Sequence, residues 1–186
     1  MTAPEFPILG TEPIAVELAN TLYGAERLDF LRTTHLVDQW FGQAVPRPRP
    51  VRHSADQAAR VRELRDHVHV LLDAAVAGQV PDLAVVSAVN RFAAASPPAL
   101  TLGWAPDGTR RAGWADTATG FDATLAGLAT GAIEVLAATT PARCSGPGCS
   151  MFFVPAHGRR RYCHPSCGHR DRQARYYRRH RTGATR

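Results

Sequence analysis

The sequence predicts a mainly α-helical protein with a small β-hairpin, built as an N-terminal helical domain followed by a C-terminal treble-clef-like zinc finger. Three observations predict this. Apolar residues recur at helical spacing through most of residues 1–140, and one alternating segment with a Pro-Asp-Gly turn interrupts them. All four cysteines lie in residues 141–186, at Cys144, Cys149, Cys163 and Cys167. We therefore divide the chain into domains 1–140 and 141–186.

The first two helices are predicted from short apolar stripes. Residues 12–23 carry Ile14, Leu18 and Leu22 at the spacing of one helix face. Residues 33–42 are predicted as the second helix, with Trp40 on its apolar face. The Pro-Arg-Pro-Arg-Pro segment at 46–50 cannot be helical, and it predicts an extended connector.

The third helix is predicted over residues 54–77. Ser54 and Gln57 are spaced as a capping box, and Gly78 supplies a helix end. His67 and His69 are expected on or beside the solvent face of this helix.

The remaining elements of the helical domain follow from breaks in the chain. A fourth helix is predicted over residues 82–95. A hairpin is predicted over 100–114, because apolar residues alternate there on both sides of a turn. A long alanine- and glycine-rich helix is predicted over 117–138, and Pro141 separates it from the cysteine segment.

The cysteines follow the pattern C-x4-C, thirteen residues, C-x3-C. Two close pairs in one short segment are typical of a tetrahedral Zn²⁺ site, and four thiolates leave no open coordination position. We therefore expect one structural zinc held by Cys144, Cys149, Cys163 and Cys167. Disulfide formation, or replacement of one cysteine by His157, His164 or His169, remains an alternative.

Local patterns place these cysteines on defined elements. Glycines between Cys144 and Cys149 allow the first pair to converge. Residues 152–154 are expected as a strand, 159–162 as its return strand, and 165–181 as a helix that presents the last cysteine in its first turn.

Charge is distributed unevenly along the chain. Residues 1–140 contain 11 Arg and 15 acidic residues, a net charge of −4, whereas residues 141–186 contain 11 Arg and only Asp171, a net charge of +10. Such asymmetry favours a polyanionic partner for the second domain, although charge runs are often only solvated surface. Expected nucleic-acid contacts are Arg159, Arg160, Arg161, His169, Arg170, Arg172, Arg175, Arg178 and Arg179.

The cysteine and arginine pattern, C-x4-C followed by RRxC-x3-CGxR and a basic helix, resembles the CGNR zinc finger. Residues 16–21, Val-Glu-Leu-Ala-Asn-Thr, are similar to the early L-D-x-x-N-T signature of the ABATE domain that precedes this finger, and Trp40 and Trp114 stand where that family places tryptophans. The resemblance implies DNA binding and stress-related transcriptional control. His169 departs from the family, which has asparagine there.

A ligand pocket in the helical domain is a second expectation. Glu17 and Asn20 are three residues apart on the first helix and could face a pocket with Trp40 and Trp114. The alternative is that Asn20 ends its helix and that both tryptophans are core residues. The domain is accordingly expected to sense a small-molecule effector or to mediate homodimer formation.

The function expected from the sequence is a cytoplasmic transcription regulator that binds double-stranded DNA. An RNA-binding protein, with Phe152, Phe153, Tyr176 and Tyr177 stacking on bases, and a protein-interaction finger are the alternatives. Motifs of nucleotide binding, metalloprotease or nucleophile-elbow chemistry do not occur, so we expect no enzyme. The chain has neither an apolar run of transmembrane length nor a secretory signal pattern, so no membrane partner is expected.

Overall fold

A computed structural model describes residues 6–45, 52–97, 99–115, 119–156 and 158–181 of the chain. The predicted connector at 46–50 lies outside the described residues. The elements, in chain order, are α1 (Ile14–Ala19), β1 (Leu22–Tyr23), β2 (Leu28–Asp29), α2 (Thr34–Ala44), α3 (Ala55–Ala77), α4 (Leu83–Ala94), β3 (Ala99–Trp104), β4 (Arg110–Ala115), α5 (Phe121–Ala138), β5 (Ala142–Arg143), β6 (Phe152–Phe153) and α6 (Pro165–Arg181).

The mainly helical fold class is confirmed, with three two-stranded antiparallel sheets among the described residues. Helix α3 starts as predicted, because Ser54 and Gln57 form the reciprocal capping box. It ends at Gly78, whose φ of 64° is in the left-handed region. The predicted hairpin is present as β3 and β4, with Leu100 opposite Trp114.

The first helix is much shorter than predicted. α1 ends at Ala19, and Leu22 and Tyr23 form a strand that pairs with β2. The prediction of helix to residue 23 is wrong because Asn20 and Thr21 end the helix. Their backbone N–H groups donate to the carbonyls of Val16 and Leu18, and the Thr21 hydroxyl also donates to Leu18.

Helices α1, α2, α3 and α5 surround the main core, and α4 packs against α3 and α5. The largest fully buried side chains of this main core are Trp40, Phe152, Leu18, Leu31, Leu64, Leu72, Leu125, Val16, Val37, Val61 and Val68. Helix α5 is long and apolar enough to cross a membrane by length and composition, and it is the one such helix in the described residues. One face of α5, including Leu125 and Ala129, is buried in this core.

Candidate zinc centre and nucleic-acid interface

The four cysteine sulfurs converge at one point. All four Sγ atoms lie within 4.8 Å of one another, and Cys163 Sγ is 3.7 Å from both Cys149 Sγ and Cys167 Sγ. A tetrahedral site with Zn–S bonds of about 2.3 Å requires sulfurs about 3.8 Å apart. All four cysteines are free thiols, so the disulfide alternative is not what the structure contains. The chain therefore provides a closed four-sulfur site for one structural Zn²⁺.

The backbone around the site is shaped for this convergence. The Cys144 N–H donates to the Met151 carbonyl at 2.9 Å, which closes the loop that carries Cys149. The N–H groups of Gly146 and Cys163 point at Cys144 Sγ, at 3.4 and 3.3 Å. Such N–H contacts stabilise a thiolate and are the usual second layer of a zinc–cysteine site.

The pKa values of the thiols diverge because the four sulfurs lie close together. The contact between the Cys149 and Cys163 sulfurs, 3.7 Å apart, lowers the pKa of Cys149 to about 5. The same contact and burial raise the pKa of Cys163 far above its usual range, and burial raises that of Cys144. Four thiolates cannot form together in this space unless a positive charge neutralises them, and Zn²⁺ supplies that charge.

The histidine alternatives are not supported by the described residues. His164 is exposed and its Nδ1 lies 2.8 Å from the Ser166 hydroxyl, while His169 is exposed near the start of α6. His157 lies outside the described residues.

The strand expected over residues 159–162 is absent, and this prediction is wrong. β6 pairs instead with β5, with Phe153 opposite Ala142. Arg159 lies in a turn and residues 160–162 have no regular structure, and the Arg160 side chain is turned towards the finger. Its guanidinium donates to the carbonyls of Tyr162 and Cys163, forms an ion pair with Glu12 at 2.9 Å, and lies over the Phe153 ring. Arg160 is thus half-buried and held within the protein, whereas the sequence predicts it among the nucleic-acid contacts.

The other predicted basic residues lie on the outside of the finger. His169 is exposed, and so are seven of the predicted arginines: Arg159, Arg161, Arg170, Arg172, Arg175, Arg178 and Arg179. Arg170 also donates to Cys167 Sγ at 3.1 Å, so it links the basic helix α6 to the zinc site. Asp171 accepts a hydrogen bond from the Tyr162 hydroxyl and forms an ion pair with Arg175. These contacts lower the pKa of its carboxyl.

The aromatic residues divide into buried and exposed pairs. Phe152 and Phe153 are fully buried and cannot stack on a base. Tyr176 and Tyr177 are 60% and 65% exposed on α6. Only two of the four aromatic residues that the sequence predicts for base stacking are therefore exposed.

The residues expected to form a ligand pocket have structural partners. The buried carboxylate of Glu17 accepts from the N–H groups of Leu9 and Gly10, and burial raises its pKa. Trp40 is fully buried in the main core, and the Trp114 side chain lies outside the described residues. A pocket formed by these three residues and Asn20 stays a prediction.

Asn20 joins the two halves of the chain. Its amide accepts from the Phe152 N–H at 2.7 Å and donates to the Phe152 carbonyl at 3.1 Å, in a fully buried position. The amide therefore pairs with β6 as a neighbouring strand would. Sequence alone could not reveal this, because the partner is 132 residues away.

A second junction, absent from the sequence predictions, surrounds Arg143. Its guanidinium donates to Asp73 at 2.9 Å and to the Ser150 carbonyl, and it lies 4.1 Å above the Phe152 ring. His69 is buried beside it, with Nδ1 donating to the Ala19 carbonyl at 3.1 Å. The prediction of a solvent-facing His69 is wrong, because the finger covers this face of α3. Burial accordingly lowers the pKa of His69.

Comparison with protein families supports both halves of the chain. Residues 12–139 match the ABATE family, described as "Putative stress-induced transcription regulator", and residues 142–180 match the CGNR zinc finger. A search of curated proteins finds no match.

Proposed function

Since the chain belongs to the ABATE family and ends in a CGNR zinc finger, we propose that this regulatory zinc-finger protein binds double-stranded DNA through residues 142–181. The observation that carries the proposal is the exposed arginine surface fixed to the zinc site. Zinc orders the start of α6, and α6 then holds its guanidinium groups in place. Phosphate oxygens are the ligands for which such groups are best suited.

The charge of this surface is not cancelled within the finger. Residues 141–186 contain eleven arginines and one acidic residue. Two of the arginines, Arg143 and Arg160, are paired with Asp73 and Glu12 of the helical domain. The seven arginines that the described residues show as exposed supply an electrostatic contact that needs no particular base sequence.

We further propose that residues 1–140 sense a small effector or mediate homodimer formation, and that the protein works in the cytoplasm as a stress-response regulator without catalysis. The finger has no acidic residue other than Asp171 and would therefore attract any acidic partner. Nucleic acid is favoured over an acidic protein only because its charge density is higher. A protein-interaction finger is therefore the competing function that the experiment below must address.

The proposal is tested by measuring duplex DNA binding by fluorescence anisotropy across a range of salt concentrations. Each phosphate contact is expected to contribute about 0.9 to the slope of log K against log salt. The variant Arg172→Gln should weaken binding and reduce the slope, whereas Arg111→Gln, an exposed arginine on β4, is the matched control.

Competitors separate the alternatives. Single-stranded RNA that displaces duplex DNA at lower concentration would favour the RNA-binding function. Salt-independent binding, or no binding to either nucleic acid at physiological salt, would contradict the proposal and favour a protein partner.

A further inference from the structure

A cavity lies where the helical domain meets the loop between Cys144 and Cys149. Its volume is about 510 Å³, within the range of small-molecule sites. It is lined by the β1–β2 turn, by α3 and by the loop between the first two cysteines: Leu22, Gly24, Ala25, Arg27, His69, Arg143, Gly148, Cys149 and Ser150. It is separate from the predicted pocket around Asn20 and Trp40 and from the exposed basic surface of α6.

The lining residues offer hydrogen-bond donors and no carboxylate. Arg27 contributes a guanidinium, and Ser150 contributes a hydroxyl that already accepts from the Gly24 N–H. Asp73 already pairs with Arg143, so the charge of Arg143 is occupied. Within the described part of the chain, the Arg27 side chain has no hydrogen bond or ion pair. A group that accepts hydrogen bonds and carries a negative charge would therefore complete this cavity at Arg27.

Arg27 also has an unusual backbone. Its φ of 51° makes it the one described residue other than glycine in the left-handed region. An L residue in this region costs about 1–2 kcal/mol, which glycine would avoid. The turn thus holds an arginine where the backbone favours glycine, and this conformation presents the guanidinium at the cavity. Strained residues of this kind are concentrated at binding sites.

The chemistry of the opposite wall orients the occupant. Cys149 is the least buried of the four zinc-ligating cysteines, and the zinc–thiolate centre is formally anionic. A negatively charged group is therefore disfavoured next to Cys149 and favoured next to Arg27. The occupant's uncharged part would face Cys149 and Gly148.

We propose that this cavity binds a small molecule carrying one carboxylate, with the carboxylate on Arg27 and the rest of the molecule against the cysteine loop. Such a ligand touches α3, the β1–β2 turn and the zinc finger at once. Its binding would therefore act directly on the zinc finger. The proposal specifies the effector sensing proposed above for residues 1–140, and it involves no DNA contact.

The test uses the full-length zinc-loaded protein without DNA, with benzoate as the probe and neutral benzamide as its matched control. Benzoate at millimolar concentration should shift the amide signals of Gly24, Gly148 and Ser150 in ¹⁵N–¹H NMR spectra, and benzamide should bind about tenfold or more weakly. Arg27→Gln should weaken benzoate binding about tenfold or more. Arg111→Gln, which removes the same charge from β4, should leave it unchanged.

A second variant separates cavity binding from simple charge attraction. Ala25→Trp keeps the charge of Arg27 but fills part of the cavity from an exposed position, and it should also weaken benzoate binding. The inference is overturned if benzoate does not bind, or if Arg27→Gln and Arg111→Gln weaken it equally. Shifts confined to α6 would also overturn it. DNA binding measured in parallel is independent, so failure of either proposal is recognised separately.

Discussion

Gly146 shows how tightly the zinc site is packed at the scale of single residues. A Cβ atom at this position would lie 2.8 Å from Cys167 Cβ and 3.4 Å from Cys144 Sγ. Cβ atoms do not approach this closely, so the two cysteines can keep their positions only if residue 146 has no side chain. The requirement is steric and comes from neighbours on both sides of the metal.

The substitution Gly146→Ala is therefore expected to weaken zinc binding. Overpacking of this kind costs about 1–3 kcal/mol, which corresponds to about a 5- to 150-fold loss of affinity. The measurement is a zinc competition titration with a chromogenic chelator. Gly158→Ala is the control, because a Cβ there would have no neighbour within 4 Å. Equal zinc affinities of the two variants would contradict the steric argument.

Asn20 is expected to stabilise the junction through both atoms of its amide. Asn20→Ala would leave the buried N–H and carbonyl of Phe152 without partners, at a cost of about 2–5 kcal/mol in the free energy of unfolding. Urea unfolding of the zinc-loaded protein measures this cost. Asn90→Ala, on the exposed side of α4, should change stability little. If both variants lose the same stability, the junction is not held by Asn20.

At the scale of elements, the sequence predicted best where the signal is local. The capping box of Ser54 and Gln57 and the end at Gly78 are contained within α3, and both are confirmed. The zinc ligands were also predictable, because the spacing of cysteine pairs directly reflects coordination geometry. In each case the residues that determine the structure are close in the chain.

The sequence predicted worst where a distant partner determines the structure. Leu22 continues the apolar stripe of α1, but it lies in β1, which pairs with β2, and the Asn20 side chain before it binds Phe152. His69 has a polar side chain on α3, yet the finger buries it. Arg65 is likewise buried, because Asp29 pairs with its guanidinium from 36 residues away. Helical periodicity carries no information about such contacts.

The turn that replaces the predicted return strand makes neighbouring arginines differ in role. Arg160→Gln removes the inward contacts to Tyr162, Cys163 and Glu12, so it should lower the thermal stability of the zinc-loaded protein. Arg161→Gln removes an exposed charge, so it should leave stability unchanged. Its expected effect is weaker duplex DNA binding with a salt slope smaller by about 0.9. Thermal unfolding and salt-dependent anisotropy on both variants measure the difference. Similar results for the two arginines would be evidence against an internal Arg160.

At the scale of the whole molecule, the finger is part of the fold of the helical domain. Phe152 is buried in the main core together with Val16 and Leu64. Further bonds join the finger to the region before α2: the Gly24 N–H donates to the Ser150 hydroxyl at 2.6 Å, and the Val154 N–H donates to Glu12 at 2.7 Å. The zinc site therefore orders more of the chain than its own ligands.

Removal of zinc is expected to loosen residues 14–31 as well as 142–181. Without the metal, the finger loses its fixed geometry, and Asn20 and Gly24 lose their hydrogen-bond partners Phe152 and Ser150. Hydrogen–deuterium exchange with and without a chelator measures this, since amides in both segments should exchange faster. Helix α4, which packs against α3 and α5, is the internal control and should keep most of its protection. Faster exchange confined to residues 142–181 would mean that the helical domain holds its first elements without the finger. An increase in the exchange of residues 14–31 would mean that zinc binding and the structure of the β1–β2 turn are coupled.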